Sequence, residues 1–283
     1  MYQIIRKKEL NSSVTQMDVL APLVAKKAKP GQFIILRVDE DGERIPLTIA
    51  GSDREEGSVR IIFQVVGGTT MKLNAKKAGE FIQDFTGPLG CPTDIEGKKK
   101  VCVIGGGVGC AIAMPVARAL HEAGAEVTSI IGFRSKDILI LEDEFKSFSD
   151  RLIVTTDDGS YGFYGNVTVP LKEMLDKGET FDEIITIGPL IMMKFVVLAA
   201  KPYNVPVTVS MNPIMIDGTG MCGCCRLTLT QDGKRVTKFA CVDGPDFNGY
   251  EVDFDEAMSR NRMYMPFETR KREENCNLLR EAE

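Results

Sequence analysis

The chain has 283 residues, enough for two or three compact units rather than a single core. Hydrophobic residues make up 43% and charged residues 27%, the balance of a soluble globular protein, and a net charge of −5 argues against nucleic acid as a partner. No apolar run is long enough to span a membrane and the N-terminus lacks a signal-peptide pattern; eight cysteines, three or four of them clustered, point to a reducing, cytoplasmic setting rather than a disulfide scaffold.

Residues 1–97 read as short strands separated by turns. Tyr2–Leu10 and Val14–Leu20 alternate apolar and polar residues. Pro30-Gly31 precedes Gln32–Val38, and Asp41-Gly42 turns into Arg44–Ile49. Val59–Val66 and Phe81–Phe85 follow, with a short helix between them near Thr70–Ala75. Many short strands at this spacing predict a small antiparallel barrel. Two stretches carry chemistry. In Arg44-Ile45-Pro46-Leu47-Thr48 a strand sets Arg44, Pro46 and Thr48 on one face, where a guanidinium and a hydroxyl can hold a pyrophosphate and touch a flavin ring. Gly67-Gly68-Thr69-Thr70 opens the helix, whose N–H groups can receive a phosphate. Each stretch also has a plainer reading, as a solvated arginine and an ordinary turn.

Residues 98–210 alternate strand and helix. Lys98-Lys-Lys leads into the apolar strand Val101–Ile104, then Gly105-Gly106-Gly107-Val108-Gly109, a helix from about Ala111 to Ala123, and the strand Glu126–Gly132. This is a βαβ unit with a glycine turn where a pyrophosphate would meet a helix N-terminus, although the spacing is not the full G-x-G-x-x-G. Asp137–Phe148 reads as a helix, Arg151–Thr155 as a strand and Val167–Leu175 as a helix. Glu183–Ile187 reads as a strand, Met192–Ala200 as a helix and Pro206–Ser210 as the last strand. The expected fold is a doubly wound parallel sheet, which binds ligands outside the carboxyl ends of its strands. Those ends carry Gly105–Gly109, Gly132-Phe-Arg134, Thr156–Gly159 and Gly188-Pro189; Arg134 is placed to meet a ribose or a phosphate.

Residues 211–283 hold the most specific pattern. Asp217 is followed after four residues by Cys222, after two more by Cys225 and after fifteen more by Cys241. Plant-type [2Fe–2S] ferredoxins use C-x₄-C-x₂-C…C, so here the first ligand position carries an aspartate. Glycines 218, 220 and 223 allow a tight wrap with N–H groups facing cluster sulfurs, and soft thiolates suit iron–sulfur chemistry. Structural zinc in a Cys₃Asp or Cys₄ set is the alternative. Cys224 falls outside the spacing and reads as a bystander, although it could replace Asp217 or Cys225. Arg226–Thr230 and Val236–Ala240 flank Gln231-Asp232-Gly233 as a hairpin that returns Cys241 to the set. The charged tail from Phe267 reads as a solvated helix or frayed end, or as a docking arm for a partner chain.

Together these pieces resemble the ferredoxin–NADP reductase superfamily. They are closest in pattern to the small FAD- and [2Fe–2S]-carrying subunit of NADH-dependent reduced ferredoxin:NADP oxidoreductase, also described as a sulfide dehydrogenase subunit. The electron-transfer subunit of dihydroorotate dehydrogenase B shares the layout. The motifs are Arg44-x-Pro-Leu-Thr48, Gly67-Gly-Thr-Thr70, Gly87-Pro-Leu-Gly90, Gly105-Gly-Gly-x-Gly109, Thr156-Asp-Asp-Gly-Ser160, Gly188-Pro189 and Asp217-Gly-Thr-Gly-Met-Cys222. Asp217, where the dihydroorotate-linked subunits usually carry Cys, favours the ferredoxin:NADP group; Cys224 stands where Gly is usual.

The resemblance implies an α+β multi-domain chain with three units. These are an FAD-binding antiparallel β-barrel (1–97), a doubly wound parallel α/β nicotinamide domain (98–210), and a small [2Fe–2S] loop-and-hairpin unit with a charged tail (211–283). It implies FAD on Arg44, Pro46, Leu47, Thr48, Gly67, Gly68, Thr69 and Thr70. It implies NAD(H) on Gly107, Arg134, Asp157 and Gly188, and the cluster on Asp217, Cys222, Cys225 and Cys241. NADH would give hydride to the flavin, and single electrons would pass through the cluster to a larger flavin and iron–sulfur subunit in a heterodimer or larger assembly. That partner would carry the bifurcation chemistry and the link to ferredoxin and NADP. The alternatives are a dihydroorotate dehydrogenase B subunit and a non-catalytic iron–sulfur or zinc protein.

Overall fold

The computed structural model describes residues 1–270 and residue 273. The first sheet uses β1 (Tyr2–Asn11), β2 (Val14–Leu20), β3 (Phe33–Arg37), β4 (Arg44–Asp53), β5 (Ser58–Gln64), β6 (Phe81–Ile82) and β7 (Asp84–Leu89). Its order is β6-β1-β2-β5-β4-β3-β7, antiparallel throughout. The stretch Phe81–Phe85, expected as one strand, is split. Ile82 pairs with Tyr2 at one edge of the sheet and Asp84 with Arg37 at the other, so a single passage of chain serves both edges and nearly closes the barrel. Alternate residues fill the interior with Ile4, Met17, Ile34, Leu36, Ile61 and Phe63. Two short helices contribute to this core: α1 (Pro22–Lys27) through Val24 and Ala25, and α2 (Gly68–Ala75) through Leu73.

The second sheet contains β8 (Lys100–Gly106), β9 (Glu126–Phe133), β10 (Arg151–Thr156), the two-residue β11 (Phe163–Tyr164), β12 (Glu183–Ile187) and β13 (Val207–Ser210). These strands run parallel in the order β11-β10-β9-β8-β12-β13, so the winding reverses between β8 and β12. Successive residues of β8 face opposite layers. Val101 and Val103 pack with α3 (Gly109–Glu122) and α4 (Glu142–Lys146); Cys102 and Ile104 pack with α5 (Thr168–Asp176) and α6 (Leu190–Ala200). The expected helix over Asp137–Phe148 is corrected to a 3₁₀ turn (Lys136–Ile138) and the short α4. The apolar run between them is drawn into the core: Ile140 and Leu141 are buried, and Leu141 takes a left-handed φ of 63° just before α4 begins.

The C-terminal hairpin pairs β14 (Arg226–Gln231) with β15 (Lys234–Phe239) through Asp232 and Gly233, both at positive φ, as a twisted two-residue turn requires. Two further elements are absent from the sequence reading. β16 (Asp246–Asn248) adds an antiparallel edge to β13, and α7 (Phe254–Asn261) is capped by the Asp253 carboxylate, which accepts from the Glu256 N–H. Leu227, Leu229, Ala240, Phe247 and Phe254 join the core cluster that also holds Ile104 and Ile184. The hairpin, β16 and α7 therefore share the parallel sheet's core instead of building one of their own. Residues 265–270 are helical; the rest of the charged tail, apart from residue 273, lies outside the described residues.

Candidate functional site

Arg44 begins β4 and is exposed, and Pro46, Leu47 and Thr48 are half-buried. Ile45, Leu47 and Ile49 pack with the barrel interior. Strand alternation therefore leaves Arg44, Pro46 and Thr48 on the outer face, as the sequence predicts. The start of α2 lies alongside: the Thr69 hydroxyl donates to Glu43 at 3.0 Å. Thr70 Oγ1 accepts from the N–H groups of Val66 and Gly67, both at 3.0 Å. The N–H groups of Gly68 and Thr69, in the first turn of the helix, lack intrahelical partners. A Cβ on Gly67 would meet nothing within 4 Å. An Arg, a Thr hydroxyl and an open helix N-terminus on one rim fit the diphosphate of a flavin dinucleotide.

At the switch point of the parallel sheet, Gly107 takes φ +57° and a Cβ there would enter open space. Its N–H is used within the fold, donating to the Gly132 carbonyl at 2.8 Å, so Val108 and Gly109 are left to offer N–H groups at the start of α3. A Cβ on Gly109 would lie 2.5 Å from the Ile187 carbonyl oxygen and 2.8 Å from Gly188 Cα. Glycine is required there because α3 touches the end of β12. Met192 covers this junction, and a Cβ on Gly106 would lie 2.3 Å from its sulfur; its neighbour Met193 is fully buried. The Asp157 N–H donates to Phe133 and the Asp158 N–H to Arg134, which draws the ends of β9 and β10 together; Arg134 and Asp157 keep exposed side chains. Gly107, Arg134, Asp157 and Gly188 thus share one edge of the sheet, the edge that receives ligands in this architecture. The Ser160 hydroxyl and N–H donate to Asp158 and hold its carboxyl below the usual range.

The loop over residues 217–225 is folded by left-handed glycines at 218, 220 and 223. Asp217 accepts from the N–H groups of Thr219 at 2.9 Å and Cys222 at 3.0 Å, and these bonds, Thr219 first, lower its pKa. Cys225 and Cys241 are buried with their sulfurs 3.2 Å apart, and burial, with Cys225 as neighbour, pushes the Cys241 thiol up to about 12. Cys222 is exposed and Cys224 half-buried; burial and the neighbouring Cys222 raise the Cys224 thiol. Among the described residues no three His, Cys, Asp or Glu side chains converge as a metal-binding set. The chain alone brings the four expected ligands together as two pairs, Asp217 with Cys222 and Cys225 with Cys241, and not as one set. The donor chemistry still fits an iron–sulfur cluster: two thiols meet out of solvent, a third lies on the same loop, and the Gly220 N–H faces the Cys241 sulfur.

Sequence reasoning missed how this loop is seated. A Cβ on Gly218 would lie 2.7 Å from Leu89 Cδ1 and 2.8 Å from Ile35 Cδ1, so the loop rests on the barrel. Ile35 pairs in register with Pro46 on the neighbouring strand β4. The seam continues through Cys91, whose N–H donates to Gly244 at 2.7 Å, and through Thr93, whose hydroxyl donates to Asp246 at 2.6 Å. Asp246 keeps partial surface, but its Oδ1 is enclosed without a partner; burial, with Glu183 nearby, raises its pKa. The Gly87-Pro-Leu-Gly90 motif was the only sequence signal for this seam.

A family model described as the iron–sulfur cluster binding domain of dihydroorotate dehydrogenase B matches residues 212–253. A Clostridium beijerinckii protein, named only for its place in the adh 3′ region, is 51% identical over 272 residues, covering 93% of this chain and 90% of its own. The dihydroorotate dehydrogenase B (NAD(+)) electron transfer subunit homolog of Thermotoga maritima is 48% identical over 262 residues, covering 93% and 91%. A solved chain from the NADH-dependent reduced ferredoxin–NADP oxidoreductase, studied for flavin-based electron bifurcation, superposes with a TM-score of 0.89 at 46% identity over 97% of both chains.

Proposed function

Because this chain belongs to the family of dihydroorotate dehydrogenase B electron-transfer subunits and their homologues, we propose that it is the small subunit of an electron-bifurcating NADH-dependent reduced ferredoxin:NADP oxidoreductase. It is an oxidoreductase subunit of the ferredoxin reductase type that uses FAD, an iron–sulfur cluster and NAD(H), and it works with a larger subunit. No helix among the described residues is long and apolar enough to cross a membrane. When bound, FAD supplies hydride and single-electron chemistry, and the cluster, taken here as [2Fe–2S], supplies one-electron transfer.

The chain's own residues bind and orient. Arg44 and Thr48 hold the FAD diphosphate and ribityl region, Pro46 packs along the ring, Leu47, whose side chain turns into the barrel, offers its backbone alone, and Gly67, Gly68, Thr69 and Thr70 receive phosphate. Gly107 and Gly188 let a dinucleotide approach the switch point, while Arg134 and Asp157 hold its ribose or phosphate. Asp217, Cys222, Cys225 and Cys241 ligate iron, with Cys224 outside the set. The three units 1–97, 98–210 and 211–283 then correspond to flavin, nicotinamide and cluster. The observation that carries this reading is the seat of Gly218 on Ile35 and Leu89, one strand from Pro46. It supports the reading because the loop proposed to hold the cluster lies beside the strand proposed to hold the flavin, and cofactors held there would be neighbours.

A dihydroorotate dehydrogenase B subunit is the second reading, favoured by the name of the Thermotoga relative. The test pairs the purified chain with each kind of large subunit. Ferredoxin- and NADP-coupled NADH turnover with the first kind, and no dihydroorotate-dependent NAD reduction with the second, is the expected result. The reverse pattern replaces the proposal by the second reading.

A further inference from the structure

The proposed flavin rim carries one contact that works against it. The Gly67 N–H donates to Thr70 Oγ1, and the Thr70 hydroxyl returns its single proton to the Gly67 carbonyl at 2.9 Å. Thr70 therefore shapes the start of α2 and can meet a phosphate only through its backbone N–H. The Thr69 hydroxyl is in use as well, but its acceptor is the exposed carboxylate of Glu43, at 3.0 Å. Of these two hydroxyls, Thr69 alone can be freed by moving one surface side chain.

Glu43 is aimed at this point by a fixed loop. Between β3 and β4, Asp39, Glu40, Asp41 and Glu43 crowd carboxyl groups into one short turn. The turn closes on Asp39, whose carbonyl accepts from the Gly42 N–H at 3.1 Å. Lys72 of α2 donates to the Asp39 carboxylate at 3.2 Å, and Arg37 donates to the Glu40 carbonyl at 2.7 Å while bridging to Asp84 at 2.6 Å. Thr69 and Lys72 lie on one face of α2. Asp39 meets Lys72 and Glu43 meets Thr69, so the loop runs back along the helix and carries Arg44, the next residue, toward its N-terminus. The same course sets a carboxylate beside the first turn. A helix N-terminus draws in one anion, and a second anion arriving there is repelled by the first.

We propose that Glu43 is a latch on the FAD site: its carboxylate holds the Thr69 hydroxyl and the first turn of α2, and the diphosphate of an incoming flavin has to displace it. This rests on the reading of Arg44 and the start of α2 as the FAD diphosphate site. Two residues adjacent in sequence then act in opposite senses. Arg44 draws the diphosphate in, and Glu43 competes with it. Binding is a swap, in which the Thr69 hydroxyl turns from carboxylate to phosphate and Glu43 swings out into solvent. The latch limits flavin affinity and keeps the cofactor exchangeable.

The test is titration of the full chain, freed of flavin, with FAD, followed by flavin fluorescence. Glu43→Ala should bind FAD about fivefold more tightly than the unaltered chain at low salt. The gain should shrink at high salt, where repulsion between Glu43 and the diphosphate is screened. Glu43→Gln, which keeps an acceptor for Thr69 and removes the charge, should show part of the gain. In a Thr69→Val background the contested hydroxyl is gone, so adding Glu43→Ala should gain less than it does alone. Unchanged or weaker FAD binding in both Glu43→Ala and Glu43→Gln makes Glu43 a support for α2 and overturns the latch. A gain of the same size with and without the Thr69 hydroxyl overturns it too. FAD affinity that Arg44→Ala leaves unchanged overturns the reading of the diphosphate site, and the latch with it.

Discussion

The proposed nucleotide edge of the parallel sheet and the cluster loop would solve the same problem, holding a cofactor, in opposite ways. At the sheet edge the backbone does the work. Gly106, Gly109 and Gly188 meet where α3 touches β12, and the helix N-terminus is fixed by strand pairing before any ligand arrives. At the cluster loop the holding groups are side chains, met so far only as two pairs, Asp217 with Cys222 and Cys225 with Cys241. Backbone sites come with the fold. A thiolate site is completed by its metal, because neutral thiols gain nothing from crowding together until a cation makes them ligands.

The largest effect that would break this contrast lies in the loop. Cys241→Ser should leave less than about a tenth of the iron and acid-labile sulfide per chain after anaerobic purification, since a buried ligand is lost. Asp217→Ala should likewise empty the site, Asp217→Cys should keep a cluster with a shifted spectrum, and Cys224→Ser should change little. Full iron in Asp217→Ala together with an empty Cys224→Ser protein would reassign the first ligand.

Next in size is Arg44→Ala on the barrel rim. Loss of a charge-assisted contact to diphosphate should weaken FAD binding by about 1.5–3 kcal/mol, with a smaller change in fold stability because Arg44 is exposed. Flavin per chain after dialysis measures it; undiminished flavin removes Arg44 from the site. Gly109→Ala should cost about 1–3 kcal/mol of stability and impair NADH binding, because its Cβ would strike the Ile187 carbonyl at 2.5 Å. Gly107→Ala should cost about 1–2 kcal/mol through its left-handed φ alone. Thermal unfolding of both variants ranks them, and a harmless Gly109→Ala would mean that the junction of α3 and β12 is looser than its geometry.

The smallest effect concerns Asp246. Its folded pKa is raised by burial, so between the ordinary carboxyl range and that raised value the folded protein holds a proton that the unfolded chain releases. Its contribution to stability is therefore complete at low pH and declines as pH rises through the folded pKa. Asp246→Asn should remove that decline, so its melting temperature relative to the unaltered chain should be higher at pH 7.5 than at pH 5. The same difference at both values would show that Asp246 does not titrate in this window.

The sequence disclosed what is local. Val14–Leu20 and Glu183–Ile187 are strands residue for residue as predicted, because apolar patterning and flanking turns suffice there. The glycine turn at 105–109 and the ligand spacing from Asp217 were legible for the same reason. What stayed hidden depends on distant partners. The strand Asp246–Asn248 exists because Val209 and its neighbours offer an open edge, and the helix Phe254–Asn261 because Phe254 finds a pocket beneath the hairpin. The run Leu139–Leu141 looked helical by composition but links the 3₁₀ turn to α4, with Ile140 and Leu141 drawn into the core. The contact of Gly218 with Ile35 and Leu89 joins residues far apart in the chain, and no spacing rule announces it.

The late arrival of β16 has a consequence for synthesis. Until Asn248 has been made, β13 presents unpaired N–H and C=O groups along an apolar edge, an invitation to pair with a foreign strand. Translation at about 5–20 residues per second leaves that edge open for on the order of seconds after Ser210 emerges. A chain terminated in this interval carries an unsealed sheet, and a nascent chain depends on whatever shields the edge at the ribosome until the last strand closes it.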